Sequence, residues 1–320
     1  MMTLAEIRLK QNPILTSILL GMGQGSFAAQ ELFPRLPQTL SAVIIPKLGN
    51  QALQRYNLRR APGAATKRVD IQYEGVTYTV KQYAVEVPMP REYLREADEE
   101  RKLNVRAYMD VSKLAMNTAD QILALDYELD AAGVATTAAN YPAGHVVALA
   151  AGTKWSASTG TPVTDVRAAA NVIRKKIGKR PNKLILSPDA ELAASSNPEV
   201  KGYLPSTQMG AATLEQLATI FKVKKVVVAE AVWVNGVGDG SDVWGNNAVL
   251  AYVPELDSAG ELNMSLADPA FGYTNVIEGH PFSETPYFER TTKSWIYGAT
   301  YERQANVTTP AAAFLFQNTK

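Results

Sequence analysis

The chain has 320 residues, 46 % apolar and 20 % charged, with 32 basic against 31 acidic side chains and a net charge of +1. This is the composition of a folded globular chain long enough for one large or two ordinary domains. It contains no cysteine, which excludes disulfides, thiolate nucleophiles and Cys-based zinc sites and suits a reducing cytoplasm. The balanced charge offers no overall basic excess for gripping nucleic acid and leaves little self-repulsion between copies. No run approaches about 18 uninterrupted apolar residues, so neither a membrane span nor a membrane partner is expected. The first residues lack the pattern of a signal peptide.

In chain order, residues 1–53 read as an arm. Asn12-Pro13 predicts the start of a short helix over 13–20. Gly21-Met-Gly-Gln-Gly25 reads as a flexible joint, and Pro34, Pro37 and Pro46 predict an extended path. Val69, Ile71 and Tyr73, then Val76, Tyr78 and Val80, alternate with polar residues around Glu74-Gly75, which predicts a hairpin turning there. Two strands alone are marginal in water, so such a hairpin must rest on its own core or on a neighbouring subunit.

Residues 91–133 predict helix, with Asn104 as N-cap, Gly133 as C′ residue, and Val105, Tyr108, Val111, Ala115, Thr118, Ile122, Leu125 and Leu129 on the core face. A helix that long serves as a spine across a domain. Residues 134–160 are small and turn-rich. From Thr161-Pro162 an alternation of helix and strand begins. A helix carries Val166, Ala169, Ala170, Ile173 and Ile177 on one face and ends at Gly178. A buried strand at 183–186 is closed by Ser187-Pro188, and Thr213-Leu-Glu-Gln216 forms a capping box. Strands are predicted at 223–228, 248–253 and 293–301.

Motifs that carry chemistry are missing. Gly21–Gly25 lacks the strand and helix that would aim backbone N–H groups at a phosphate, and Gly178-Lys179-Arg-Pro reads as a helix C-cap. Gly236-Val-Gly-Asp-Gly-Ser-Asp242 lacks the spaced acidic ligands and terminal Glu of a calcium loop and reads as a hairpin turn. His145 and His280 lie in unremarkable contexts, and no GxSxG, HExxH or CxxC occurs. No catalytic residue, cofactor or metal is expected.

An ordered set of segments resembles one branch of the tailed-phage major capsid proteins over residue 28 to the C-terminus. In the first half these are Phe33-Pro34, Arg59-Arg60-Ala-Pro-Gly63, Lys67-Arg68-Val69 and Tyr83-Ala-Val-Glu-Val87-Pro88. In the second they are Ile177-Gly-Lys-Arg-Pro-Asn182, Ser187-Pro-Asp189, Asn197-Pro198-Glu-Val200, residues 214–228, Trp244-Gly245 and Leu250-Ala-Tyr-Val-Pro254.

The resemblance implies an α+β chain with the Hong Kong 97-type capsid fold. Its parts would be an N-terminal arm (1–53), an extended hairpin loop (54–90), a peripheral domain with the spine helix (91–160 with a return at 286–320) and an axial domain (161–285). It implies a structural subunit, not an enzyme, that assembles with itself through pentamers and hexamers into an icosahedral shell. The shell would enclose packaged double-stranded DNA non-specifically, in the virion capsid, after assembly in the bacterial host cytoplasm. Scaffolding, portal and decoration proteins are the further partners implied, the scaffold as a separate protein because the arm is short. The inter-subunit contacts are expected from Arg59, Arg60, Lys67, Arg68, Tyr73, Glu74, Gly75, Val76 and Tyr78. Rival readings are an encapsulin-type nanocompartment shell on the same fold, another virion part, and a soluble α/β enzyme with a polar pocket.

Overall fold

The computed structural model describes residues 27–48, 53–63, 65–69, 73–95, 111–205, 210–235, 240–254 and 269–320. The expectations for the 13–20 helix, the Gly21–Gly25 joint, Ile71, Asn104, Val105 and Tyr108 lie outside the described residues. So does the tip of the turn predicted at 236–242.

The described chain opens with a single helical turn, α1 (Ala29–Leu32), and two extended pieces, β1 (Arg35–Gln38) and β2 (Ala42–Leu48). The Pro-rich path is therefore strand, as its prolines predict. Strands β3 (Tyr73–Thr79) and β4 (Lys81–Pro90) follow with Val80 between them, and 91–95 are helical. The spine helix α2 runs Val111–Thr136, then β5 (Val146–Ala148) and helix α3 (Pro162–Ile177). The α/β run continues with β6 (Lys183–Leu186), α4 (Pro188–Ser196), α5 (Pro198–Lys201), α6 (Leu214–Phe221) and β7 (Lys225–Val228). The short pair β8 (Val232–Trp233) and β9 (Ser241–Asp242) flanks the predicted 236–242 turn, and β10 (Ala248–Ala251) closes this part. The last strands are β11 (Gly272–Ile277), β12 (Phe282–Ser283), β13 (Tyr287–Glu289), β14 (Ser294–Val307) and β15 (Ala313–Gln317).

Two sheets share one helix. In the first, the 14-residue β14 pairs along one edge with β4, Ser294 opposite Pro90 through Arg303 opposite Lys81. Its other edge takes β13, β12 and β11 in succession, with β1 parallel to β11 beyond. Alternate residues of β14, namely Tyr297, Ala299, Tyr301 and Ala305, join the core that contains α2. The approach is close at Gly272, where a Cβ would lie 2.3 Å from the Asn306 carbonyl and 2.6 Å from the Phe33 ring.

The second sheet has the order β5-β15-β10-β6-β7. Its strands read as unbroken apolar runs because both faces are covered. Leu184, Leu186, Leu250, Phe314 and Phe316 meet α3, α4 and α6, whereas Ile185, Val249, Ala251, Ala313 and Leu315 meet the core of α2. The sequence reads α3 correctly. Val166, Ala169, Ala170 and Ile173 are buried, and Gly178 ends the helix at φ 77°. The capping box of Thr213 and Gln216 is present in both directions.

Two expectations for α2 are corrected. The helix does not stop at Gly133. Donors from the following loop satisfy its last carbonyls: Thr137 Oγ1 to Gly133 O (2.6 Å), Asn140 Nδ2 to Val134 O (2.7 Å) and the Tyr141 hydroxyl to Ala135 O. Its buried face is also rotated: of the predicted stripe Ala115 is fully buried but Leu125 and Leu129 only half-buried. Met116, Ala119, Leu123, Tyr127 and Ala131 are buried, whereas Ile122 of the predicted core stripe is 47 % exposed. Alanines let the sheets come close, so the bulkier apolar stripe ends up outside.

Two buried charges tie these parts together. Glu128, fully buried on α2, accepts from the backbone N–H of Ala28 and Ala29 (both 2.9 Å) and from the indole of Trp244 (2.6 Å). Burial pushes its carboxyl above the ordinary value despite those donors. Arg303, also fully buried, donates to Asp130 (2.9 Å) and Asp126 (2.6 Å), four residues apart on α2, and lies over the rings of Tyr83 and Tyr127 at 4.2 and 4.9 Å.

Glu128→Ala orphans three buried donors at about 1–3 kcal/mol each. Chemical denaturation is therefore expected to show a loss of at least about 3 kcal/mol, with Glu128→Gln intermediate. Removing both carboxylates by D126A/D130A leaves a buried unpaired guanidinium and is expected to cost about 3–5 kcal/mol. Arg303→Met is expected to cost less, because the side chains of Asp126 and Asp130 are 46 % and 41 % exposed and remain hydrated. The reverse ranking in urea would refute this account.

Candidate assembly surface

The part of the molecule with the least support from its own chain is the ribbon β2–β3 and the loop leading to it. β2 and β3 pair antiparallel from Ala42 opposite Thr79 to Leu48 opposite Tyr73, as a sheet of two strands only. This corrects the predicted hairpin: Glu74-Gly75 is not a turn but the middle of one strand, opposite Lys47 and Pro46. The alternation of Val76 and Tyr78 does belong to a strand, whose partner is β2, which Pro46 disguised. Gly75 fits closely there, since a Cβ would fall 2.8 Å from Cγ2 of Ile44.

The ribbon is anchored at its base. The Val80 N–H donates to Ser41 O at 3.0 Å, and the buried Tyr78 donates its hydroxyl to Val307 O at 3.3 Å. Farther out Ile44 is 65 % exposed, and Leu40 beside β2 is 67 % exposed. Between the strands, residues 53–63 and 65–69 run as irregular chain, with Leu58 72 % exposed and Arg59, Arg60, Lys67 and Arg68 all exposed. Local contacts order this loop: Lys67 lies over the Tyr56 ring at 5.5 Å, and the Arg59 N–H donates to Asn57 Oδ1 at 3.3 Å.

Of the residues expected to make contacts between subunits, the structure thus places Arg59, Arg60, Lys67 and Arg68 on the loop. It places Tyr73, Glu74, Gly75, Val76 and Tyr78 on β3. Tyr78 is directed into its own chain, Gly75 is exposed and Val76 half-buried. Sequence reasoning did not single out the outer face of α2. Leu114 (41 % exposed) and Ile122 (47 %), with half-buried Leu125 and Leu129, form a stripe left bare by the fold. The signal was present, since most of this stripe was read as core; the helix is apolar on two sides and only one can face inward.

His145 is buried with Nδ1 2.8 Å from Ala313 O, and His280 lies 3.9 Å from Glu302 beside the Thr300 carbonyl. Burial pushes His280 below its ordinary value. Among the described residues no group of His, Asp and Glu is placed to hold a metal, and no helix is long and apolar enough to cross a membrane.

One titration belongs to α2. Burial raises the Asp120 carboxyl to about 6, against the opposing charge of Arg35. The folded chain therefore holds a proton that the unfolded chain has lost, between the ordinary carboxylate range and about 6. That contribution to stability is complete below the unfolded value and is lost as pH rises through the folded one. Asp120→Asn, neutral in both states, is expected to flatten the pH dependence of the denaturation midpoint between pH 4 and about 6.5; an unchanged slope would contradict this.

Comparison with known proteins agrees with this geometry. The family described as phage major capsid protein E matches residues 129–267. The major capsid protein of Burkholderia phage BcepMu is 28 % identical over 275 residues, 86 % of each chain. The crystal structure of a phage-related protein from Bordetella bronchiseptica RB50 is 32 % identical, covers 97 % of both chains and superimposes with a TM-score of 0.76. The capsid structure of the cyanophage P-SCSP1u shares the fold at 11 % identity, with a TM-score of 0.54 over 89 % of this chain and 86 % of that one. With spine helix, two sheets and projecting ribbon in place, the chain belongs to the phage major capsid proteins and has the Hong Kong 97-type fold.

Proposed function

We propose that the chain forms the wall of a tailed-phage head, assembling through pentamers and hexamers into an icosahedral shell around double-stranded DNA. The role is structural and not enzymatic. The observation that carries the reading is the ribbon β2–β3 with loop 53–69: a two-stranded, largely exposed projection gains its stability only by lying on something else. A second copy supplies that support if each subunit both gives and receives the contact, which makes the interface heterologous and lets it close into rings. The bare stripe on α2 is a second surface awaiting cover.

In this reading residues 1–53 are the arm and 54–90 the extended loop. The peripheral domain, 91–160 with 286–320, is built on β14 and α2, and the axial domain, 161–285, on the five-stranded sheet. Four strands cross that division: β11 and β12 pair with β14, and β5 and β15 lie in the five-stranded sheet. Arg59, Arg60, Lys67, Arg68, Tyr73, Glu74, Gly75 and Val76 remain the proposed contacts, with Tyr78 as the intramolecular anchor. Assembly takes place in the host cytoplasm with a separate scaffolding protein, and portal and decoration proteins join the same shell. The encapsulin alternative shares the fold, but the likeness to a phage major capsid protein over 86 % of each chain favours the phage reading.

Negative-stain microscopy of the expressed chain is expected to reveal capsomer rings or closed shells. The double variant L58E/I122E should retain the helical signal and melting temperature of the monomer while its yield of assemblies falls more than tenfold. A discrete monomer at high concentration, with the amides of residues 53–79 protected from exchange, would overturn the proposal. Uniform shells from the purified chain alone would remove the separate scaffold.

A further inference from the structure

The near-neutral chain is strongly polarised by its fold. Residues 174–183 read Arg-Lys-Lys-Ile-Gly-Lys-Arg-Pro-Asn-Lys, residues 222–225 read Lys-Val-Lys-Lys, and residues 53–60 add three arginines. None of the three segments contains Asp or Glu, and together they hold 12 of the 32 basic residues. The structure joins the first two segments and sets Leu53, at the start of the third, beside them. The backbone N–H groups of Lys224 and Lys225 both donate to the Asn182 carbonyl, at 2.9 and 3.1 Å. Leu53 lies against Gly178, a Cβ there being 3.1 Å from its Cδ2, so the loop starts on the C-terminal end of α3.

Part of this charge has a structural role. The last turn of α3 carries Arg174, Lys175 and Lys176, which favour the negative end of the helix dipole. Lys183 and Lys225 both reach Glu31. Lys175, Lys176, Arg180, Lys222 and Lys224 nevertheless stand exposed on the same corner.

We propose that this corner, where the end of α3, the α6–β7 connection and the start of loop 53–69 meet, binds the phosphate backbone of double-stranded DNA without reading sequence. A duplex presents one negative charge per about 1.7 Å of axis, a density that suits clustered lysines and arginines. A second copy could offer Glu86, Glu284 and Glu289, gathered around Tyr287, and the assembly outcome of the test separates that occupant from a duplex; two other acidic stretches are less available. The 126–130 carboxylates are taken up by Arg303 and by the buried Glu128 contacts. The run Asp98-Glu99-Glu100 is followed at once by Arg101-Lys102. The affinity is a property of the folded subunit; it rests on the shell reading only for which polyanion the subunit meets.

The test is fluorescence anisotropy of the unassembled full chain with a labelled 30-base-pair duplex of arbitrary sequence, titrated with KCl from 50 to 200 mM. Binding is expected to weaken steeply with salt and to be indifferent to sequence. The triple variant K176Q/R180Q/K222Q should lose at least tenfold in affinity at 100 mM KCl, with the salt slope reduced by about 2–3. K81E/R290E, which changes charge on β4 and beside β13, should bind as the parent does.

Circular dichroism and thermal melting establish that each variant is folded; should the triple variant fail there, K224Q takes its place, with a loss of about threefold expected. Rings or shells that form normally from a chain with no salt-dependent affinity for the duplex would overturn this inference and leave the shell reading standing. Loss of assembly in the triple variant with duplex affinity unchanged would overturn it too, marking the corner as a contact between copies. Duplex binding as described, from a chain that never assembles, would sustain it while the shell reading fell.

Discussion

A carboxylate shut away from the surface holds this fold together. Glu128 lies in the middle of α2, and its three donors come from two places: two from the backbone entering α1, and one from Trp244 beside the five-stranded sheet. A charged group so deeply buried survives only when fully hydrogen-bonded. The arrangement therefore fixes where the chain enters α1, which way α2 is turned and how the five-stranded sheet sits on it. Glu31, one turn into α1, repeats the device at the surface by taking Lys183 and Lys225.

The rotation of α2 that Glu128 sets has a price in exposed apolar surface. Small side chains, Ala115, Ala119, Ala131 and Ala135, face both sheets, which lets one helix serve two cores at short range. Larger ones, Leu114 and Ile122, are left in contact with solvent. In a protein that works alone this would be a liability. In a shell subunit it is the sort of unfinished surface that a neighbour completes.

Much of this was legible in the amino-acid order, and where it was not the reason is physical. Helix α3, its glycine cap and the capping box of α6 are written in local signals, so they could be placed directly. The face of α2 was misread because apolar periodicity reports that a helix has a sticky side, not which of two sticky sides a sheet will cover. The ribbon was misread because alternation identifies a strand without its partner, and the partner lay 31 residues earlier in the register of Ala42–Leu48, across a proline. The family resemblance covered nearly the whole chain and gave the architecture that local signals could not. The basic corner was invisible for another reason: net charge is a sum over the sequence, and only folding brings residues near 55, 178 and 224 together.

The ribbon and the first sheet are joined with almost nothing between them. β3 passes into β4 through Val80 alone, and β4 is zipped to β14 over ten consecutive register positions. Tension applied at the tip of the ribbon therefore runs along the axis of β4 and is met by the rungs of that ladder in shear, all sharing the load, instead of prising them apart one after another. Strain imposed by an adjoining molecule would be delivered to the longest described strand, β14, before any loop could absorb it.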